Sequence, residues 1–442
     1  MKQEPTEHPE RPTTRYDAQI AHIMRAFEAD GIQIGVATGD DAPEDAEFLY
    51  ERGVILVRDE DIERVRTELG EIEVRDALIN GLTVISLAGT HYDTVGALAR
   101  LDNRLGIGVA TPNHVASIAP VSHCPATEPE EVVAGAAPDP GICPAPDDGA
   151  GVRLYVGDTG LLDGAAATHS WLADVQGTRD PFPQPPQPGQ APMRPYTGHG
   201  TFISGVARCM APAVQVFSDN IFRRAGAALE SEVVLRLLGA LRRDPDIISL
   251  SAGVHTRRRL PSLGFEVLLG RLRHHKGVVL VAAAGNDQST RPFWPAASPR
   301  VVSVGALSAN WRSRAWFSNY GGWVDVYAPG EGLVNAFATG TYVCTEPPHV
   351  GERRRFEGMA RWSGTSFSTP LVAGLIAARM SRTGENGRTA ARALLANARK
   401  RAVHGLGAVL LPCLDEGGHR GGGGRGHGGC GCGHDHHRCG HH

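Results

Sequence analysis

The chain has 442 residues, 41% of them hydrophobic, which is enough for two or three domains with a sizeable core and excludes an intrinsically disordered protein. Its 44 Lys and Arg against 48 Asp and Glu leave a formal charge of −4, with no basic run beyond short Arg clusters, so neither nucleic acid nor a membrane is an expected partner. Lysine occurs only at Lys2, Lys276 and Lys400, which leaves few candidates for lysine-based catalysis.

The N-terminal MKQEPTEHPERPTTRYDAQ lacks the apolar core of a secretory signal, and no run of about 18 apolar residues follows anywhere. Three of the eight cysteines crowd the C-terminus and the rest are scattered singly, so the expectation is a cytoplasmic chain with reduced thiols. Residues 1–45 read as an extension with one short helix, marked by Ile20, Ile23, Met24 and Phe27 at helical spacing and closed at Gly31. From 46 to 118, GVILVR, DEDIERVRTEL, a strand near 72–76, LTVISL, TVGALARLDNRL and GVA give the order β-α-β-β-α-β of a small α+β split βαβ (ferredoxin-like) domain. Residues 119–150, rich in Pro, Ala and acids, read as an exposed linker. Between 151 and 416 the apolar runs RLYVGD, DIISLS, GVVLVAAAG and RVVSVGA alternate with helical stretches at 229–243, 262–275 and 366–382. That pattern is of an α/β domain with a mostly parallel sheet and helices on both faces. Residues 417–442 hold twelve Gly, seven His and three Cys and form a low-complexity tail.

Three short segments place a reactive side chain among small residues where an open α/β sheet puts its site: GDTG with Asp158 at a strand end, GHGT with His199 before the buried helix TFISGVA, and GTSFSTP with Ser366 ahead of a helix that Pro370 enters in its first turn. In the order Asp, His, Ser, and with GTSFSTPLVAG as the most specific segment, residues 150–400 resemble the subtilisin-like serine peptidases (subtilases). The resemblance implies a serine endopeptidase in which His199 takes and returns the proton of Ser366 while Asp158 holds the imidazole tautomer. It also implies that Asn286, in VAAAGN, donates to the oxyanion beside the N–H of Ser366. On its own, Gly285-Asn286 reads more readily as a turn after a strand. SLSAG, that is Ser249, Leu250, Ser251, Ala252 and Gly253, resembles the strand that pairs with an extended peptide, with Ala252 where the family often has glycine and so a slightly narrowed pocket. Asp287 reads as a solvated turn acid or as an acid at the pocket rim. DPFPQPPQPGQAP (180–192) reads as a recognition element or a stiff surface loop.

By the same resemblance the 46–118 domain is a propeptide that inhibits the enzyme intramolecularly, its end VATPNHVASI lying in the substrate groove and cleavage falling after about Ile118; an accessory domain that stays attached is the alternative. The expected partner is a peptide or protein substrate, and no cofactor is required. Calcium often stabilises such enzymes, but the sequence has no compact EF-hand-like Asp/Asn cluster. Cys209 and Cys344 read as buried apolar side chains. In the tail, Cys430, Cys432, His434, His436, His437 and Cys439 suit weak binding of Zn, Cu or Ni, in no standard module, with an inert glycine-rich tail as the alternative. Two other classes compete: a catalytically silent scaffold that binds a peptide through SLSAG, and a nucleotide-binding domain, against which stands the lack of a G-x-G-x-x-G or P-loop after a strand.

Overall fold

The computed structural model describes residues 15–38, 46–118, 127–143, 145–184, 189–275 and 277–412; the tail metal ligands and the expected cleavage point lie outside them. The N-terminal region runs α1 (Arg15–Glu28), β1 (Ile34–Thr38), β2 (Ala46–Val57), α2 (Ile62–Leu69), β3 (Glu73–Ile79), β4 (Leu82–Ser86), α3 (Thr94–Leu105) and β5 (Ala110–Ser117). The antiparallel order β3-β4-β2-β5 is the split βαβ arrangement read from the sequence, and β1 adds a strand against β2. Alternation along the strands decides what each face covers. Ile55, Val57 and Ile85 meet Val65, Leu69, Leu98 and Leu101 of α2 and α3. On the opposite face, Val54, Leu56, Leu82 and Val84 meet Leu263 and Val267 of the following domain.

That domain comprises β6 (Arg153–Asp158), α4 (Ala165–Thr168), β7 (Gln176–Gly177), α5 (His199–Met210), β8 (Gln215–Asn220), β9 (Ala227–Leu229), α6 (Glu230–Ala240), β10 (Ile247–Leu250), α7 (Leu263–Leu272), β11 (Val279–Ala283), β12 (Val302–Leu307), β13 (Val326–Pro329), β14 (Leu333–Val343), β15 (Arg353–Trp362), α8 (Thr365–Thr383) and α9 (Gly387–Lys400). The seven-stranded sheet has the order β13-β12-β11-β10-β6-β8-β7, and its paired strands run parallel. Successive side chains of β6, β10 and β11 enter two cores. Leu154, Val156, Ile247, Val279 and Val281 pack with α5 and α8, whereas Tyr155, Ile248, Leu250, Leu280 and Ala282 pack with α6 and α7. Burial on both faces is why these strands read as continuous apolar runs. No helix among the described residues is long and apolar enough to cross a membrane.

Two sequence expectations change. The described residues from Thr127 to Ala150 are largely on the surface, as expected of an exposed segment, with Val133 80% exposed, but they are pinned to the following domain rather than running as a free linker. Glu130 bridges to Arg361 and Asp139 to Val334, flanking the β14–β15 hairpin. The buried Glu128 carboxylate accepts from Tyr342 Oη at 2.9 Å and from the Thr345 N–H at 2.7 Å. Polar bonds, which composition does not reveal, hold this segment. The last strand of the small domain, expected near 108–110, continues to Ser117 because its polar residues are paired on burial. Asn113 donates to Glu51 and Ser231, and the His114 ring lies 2.7 Å from Glu230.

Candidate active site

The strand order reverses beside β6, since the chain first builds outward to β8 and β7 and then returns to β10 through β13 on the other side. Ligands of open α/β sheets bind outside the carboxyl ends of strands at such a point. Asp158 ends β6 there, fully buried. Its Oδ1 accepts from the Thr159 N–H at 2.8 Å and from Nδ1–H of His199 at 2.7 Å. His199 is the first residue of α5, after Gly198 with φ 77°, a left-handed conformation suited to glycine. Gly200 has no room for a side chain, because a Cβ would lie 2.3 Å from Gly160 O.

The imidazole sits in an aromatic cage. The rings of Trp362 and Phe367 lie 5.2 Å away and that of Tyr196 6.5 Å. Such walls keep water from the buried Asp–His pair and strengthen its electrostatics. His199 Nε2 has no hydrogen-bond partner among the described residues.

Ser366 lies in the first turn of α8, one residue inside the helix rather than ahead of it, and Pro370 falls in the second turn. The position of the proline has a consequence. Lacking an N–H, Pro370 leaves the Ser366 carbonyl without its helical donor, and Ser251 Oγ supplies the bond at 2.8 Å. The Ser366 hydroxyl points to the Ser251 carbonyl at 3.4 Å rather than to the imidazole. The residue after it, Phe367, packs on the His199 ring at 5.2 Å. The Ser366 N–H belongs to the first-turn donors that have no partner within the helix. Asn286 follows β11, and its Oδ1 accepts from both the N–H and the Oγ of Thr365 at 2.8 Å, which fixes the turn of the amide beside Ser366.

In the SLSAG stretch, Ser249 and Leu250 are buried in β10, Ser251 touches Ser366, and Ala252 is 1% exposed. Gly253 exchanges two backbone hydrogen bonds, of 2.9 and 3.1 Å, with Ser117 at the end of the small domain. The Ile118 N–H donates to Gly226 O, and Ser117 pairs with Ala227 of β9, so residues 115–118 form a strand laid between the two walls of a groove. The position where glycine is required is Gly253, not 252. A Cβ at Gly253 would meet Phe293 at 2.5 Å and Trp294 O at 2.7 Å. Asp287 is not solvated; its carboxylate bonds His255 and Asn319 at 3.1 Å. Burial pushes the thiols of Cys209 and Cys344 up to about 12, which makes both inert as nucleophiles at neutral pH. Among the described residues no group of three or more His, Cys, Asp or Glu is placed to hold a metal ion.

One residue of the site escaped the sequence reading. Asp180, the first residue of the proline-rich insert, is 2% exposed and accepts from the N–H of Gly198 at 2.8 Å and of Phe182 at 3.2 Å. It therefore anchors the turn that presents His199. Burial raises its pKa from 3.8 to about 6, with the two N–H bonds opposing the rise and the Asp158 charge adding to it. A raised carboxyl pKa favours the fold fully only below the ordinary value, and this contribution is lost as pH rises through 6. Relative to Asp180→Asn, wild-type stability is expected to fall by about 2 kcal/mol between pH 4 and 7. Denaturant unfolding of both proteins across that range checks this, and parallel stability curves would contradict it.

Residues 149–411 match the subtilase family. The chain is 32% identical over 200 residues to the thermophilic serine proteinase of Bacillus sp. (strain AK1), an overlap of 42% of this chain and 43% of that protein. It is 28% identical over 258 residues to thermitase of Thermoactinomyces vulgaris, covering 55% of this chain and 80% of thermitase. A crystal structure of a cold adapted subtilisin-like serine proteinase aligns at 21% identity over 61% of this chain and 91% of that chain, with a TM-score of 0.45. The chain thus spans less than half the length of the first of these relatives and four fifths of the second. Because the family match extends over more than half of the chain and takes in Asp158, His199, Asn286 and Ser366 together, the chain belongs to the subtilase family.

Proposed function

We propose that the protein is a serine endopeptidase made as a self-inhibited zymogen, with Ser366 as nucleophile, His199 as general base and acid, and Asp158 as its orienting carboxylate. The observation that carries the reading is the fully buried 2.7 Å bond from His199 to Asp158 beside the helix terminus that bears Ser366. That bond leaves Nε2 as the acceptor for the Ser366 proton. As Oγ attacks the peptide carbonyl, His199 becomes imidazolium against the Asp158 charge, and the negative oxygen is received by the Ser366 N–H and the Asn286 amide. Each such donor lowers the barrier by about 3 kcal/mol. Collapse returns the proton to the leaving amine and leaves an acyl-enzyme, which water hydrolyses by the same steps in reverse order.

The same reading makes the small domain the inhibitor, because residues 115–118 occupy the groove that an extended substrate strand would use. Salt bridges from Arg257 to Asp102 and from Arg58 to Glu266, each 2.7 Å, accompany the apolar seam on α7. Incubation of the purified full chain should release an N-terminal fragment ending between 118 and 150, and peptide hydrolysis should rise in step with that release. Intact mass and initial rates followed together test this. Full activity in the uncut chain would refute the inhibitory role.

A further inference from the structure

Resting on the peptidase reading, we infer that Phe293 closes the pocket for the side chain before the scissile bond, so that the enzyme cuts after glycine, alanine or serine. Two segments flank the reacting serine. Ser251 to Gly253 reaches it through the Ser251–Ser366 bonds, and the stretch ending at Asn286 reaches it through Thr365. An extended peptide paired with Gly253, as Ser117 is, directs its side chain nearest Ser366 into the gap between them.

Phe293 fills that gap. A Cβ on Gly253 would lie 2.5 Å from its Cε1, and a Cβ on Gly285, on the facing segment, would lie 3.1 Å from its Cδ1. One ring edge therefore spans the space between the two backbones. The ring is 2% exposed and is held from two sides. Trp294, its neighbour, exchanges backbone hydrogen bonds of 2.8 and 3.0 Å with Val254. The ring of His255 lies against it at 5.1 Å and is fixed in turn by Asp287. A hydrogen, methyl or hydroxymethyl group fits over such a floor, whereas a branched or aromatic side chain must displace a packed ring.

The test uses tetrapeptide anilides that differ only in the last residue, hydrolysed by the full chain after incubation has released its N-terminal fragment, with active sites counted by a fluorophosphonate. Wild type should favour Ala over Leu and Phe by at least about 100-fold in kcat/KM. Phe293→Ala should raise cleavage after Leu and Phe at least about tenfold with little change after Ala, and Phe293→Leu, which preserves most of the core volume, should shift the ratio in the same direction. Equal wild-type cleavage after Ala and Phe would overturn the inference, as would a labelled Phe293→Leu protein that keeps the wild-type ratio. If the probe does not label the wild-type serine, the peptidase reading itself fails and the inference fails with it.

Discussion

Replacing Ser366 with alanine is expected to lower kcat/KM by about 10⁶-fold and to leave the chain at full length. On the proposed mechanism the loss is large because His199, Asp158 and the oxyanion donors all serve attack by the Ser366 hydroxyl, which alanine lacks. The fold should be nearly unaffected, since the hydroxyl makes one long bond, 3.4 Å to Ser251 O, and the helix is secured there by the Ser366 carbonyl instead. Active-site-normalised rates and calorimetry on the two proteins decide the point. A variant that keeps a tenth of wild-type turnover would remove Ser366 from the mechanism.

Asp158→Asn is expected to cost about 10⁴-fold, chiefly in kcat. Oδ1 of Asp158 receives hydrogens from the Thr159 N–H and from His199 Nδ1. An asparagine that keeps its oxygen at the Oδ1 position retains both bonds but has lost the charge that stabilises imidazolium, and one that puts its NH₂ there meets Nδ1 with a donor, which forces the proton onto Nε2. A protonated Nε2 cannot accept from Ser366, so chemistry fails while the groove stays intact. Steady-state kinetics with a short peptide substrate would show kcat falling at near-constant KM. A rise in KM alone would mean that Asp158 shapes binding rather than the imidazole tautomer.

The split βαβ domain and the parallel sheet were legible because their strands are short continuous apolar runs set between stretches of helical spacing, as at residues 54–57, whose four apolar side chains divide between two buried faces. Asp158, His199 and Ser366 could be picked out because each stands in a local setting of small residues that the structure puts at one end of the sheet. What escaped depends on polar groups paired over long distances. Asn113 and His114 interrupt the apolar pattern of β5, yet both are buried because Glu51, Ser231 and Glu230 receive them. Asp180 looks like a loop acid in a proline-rich stretch until the fold brings Gly198, 18 positions away, to its carboxylate. Phe293 follows the same logic. As a single aromatic between Pro292 and Trp294 it signals only a hydrophobic turn, and its position between Gly253 and Gly285 comes from the pairing of β10 with β11 and of Val254 with Trp294.

Whether Ser366 is a nucleophile activated by the buried His199–Asp158 pair is decided by intact-mass spectrometry after exposure to a fluorophosphonate. One adduct is expected on wild type that has released its N-terminal fragment, mapped to Ser366, with none on Ser366→Ala and much slower labelling of Asp158→Asn. An adduct of equal yield on Ser366→Ala, or labelling of wild type at a different serine, would contradict it.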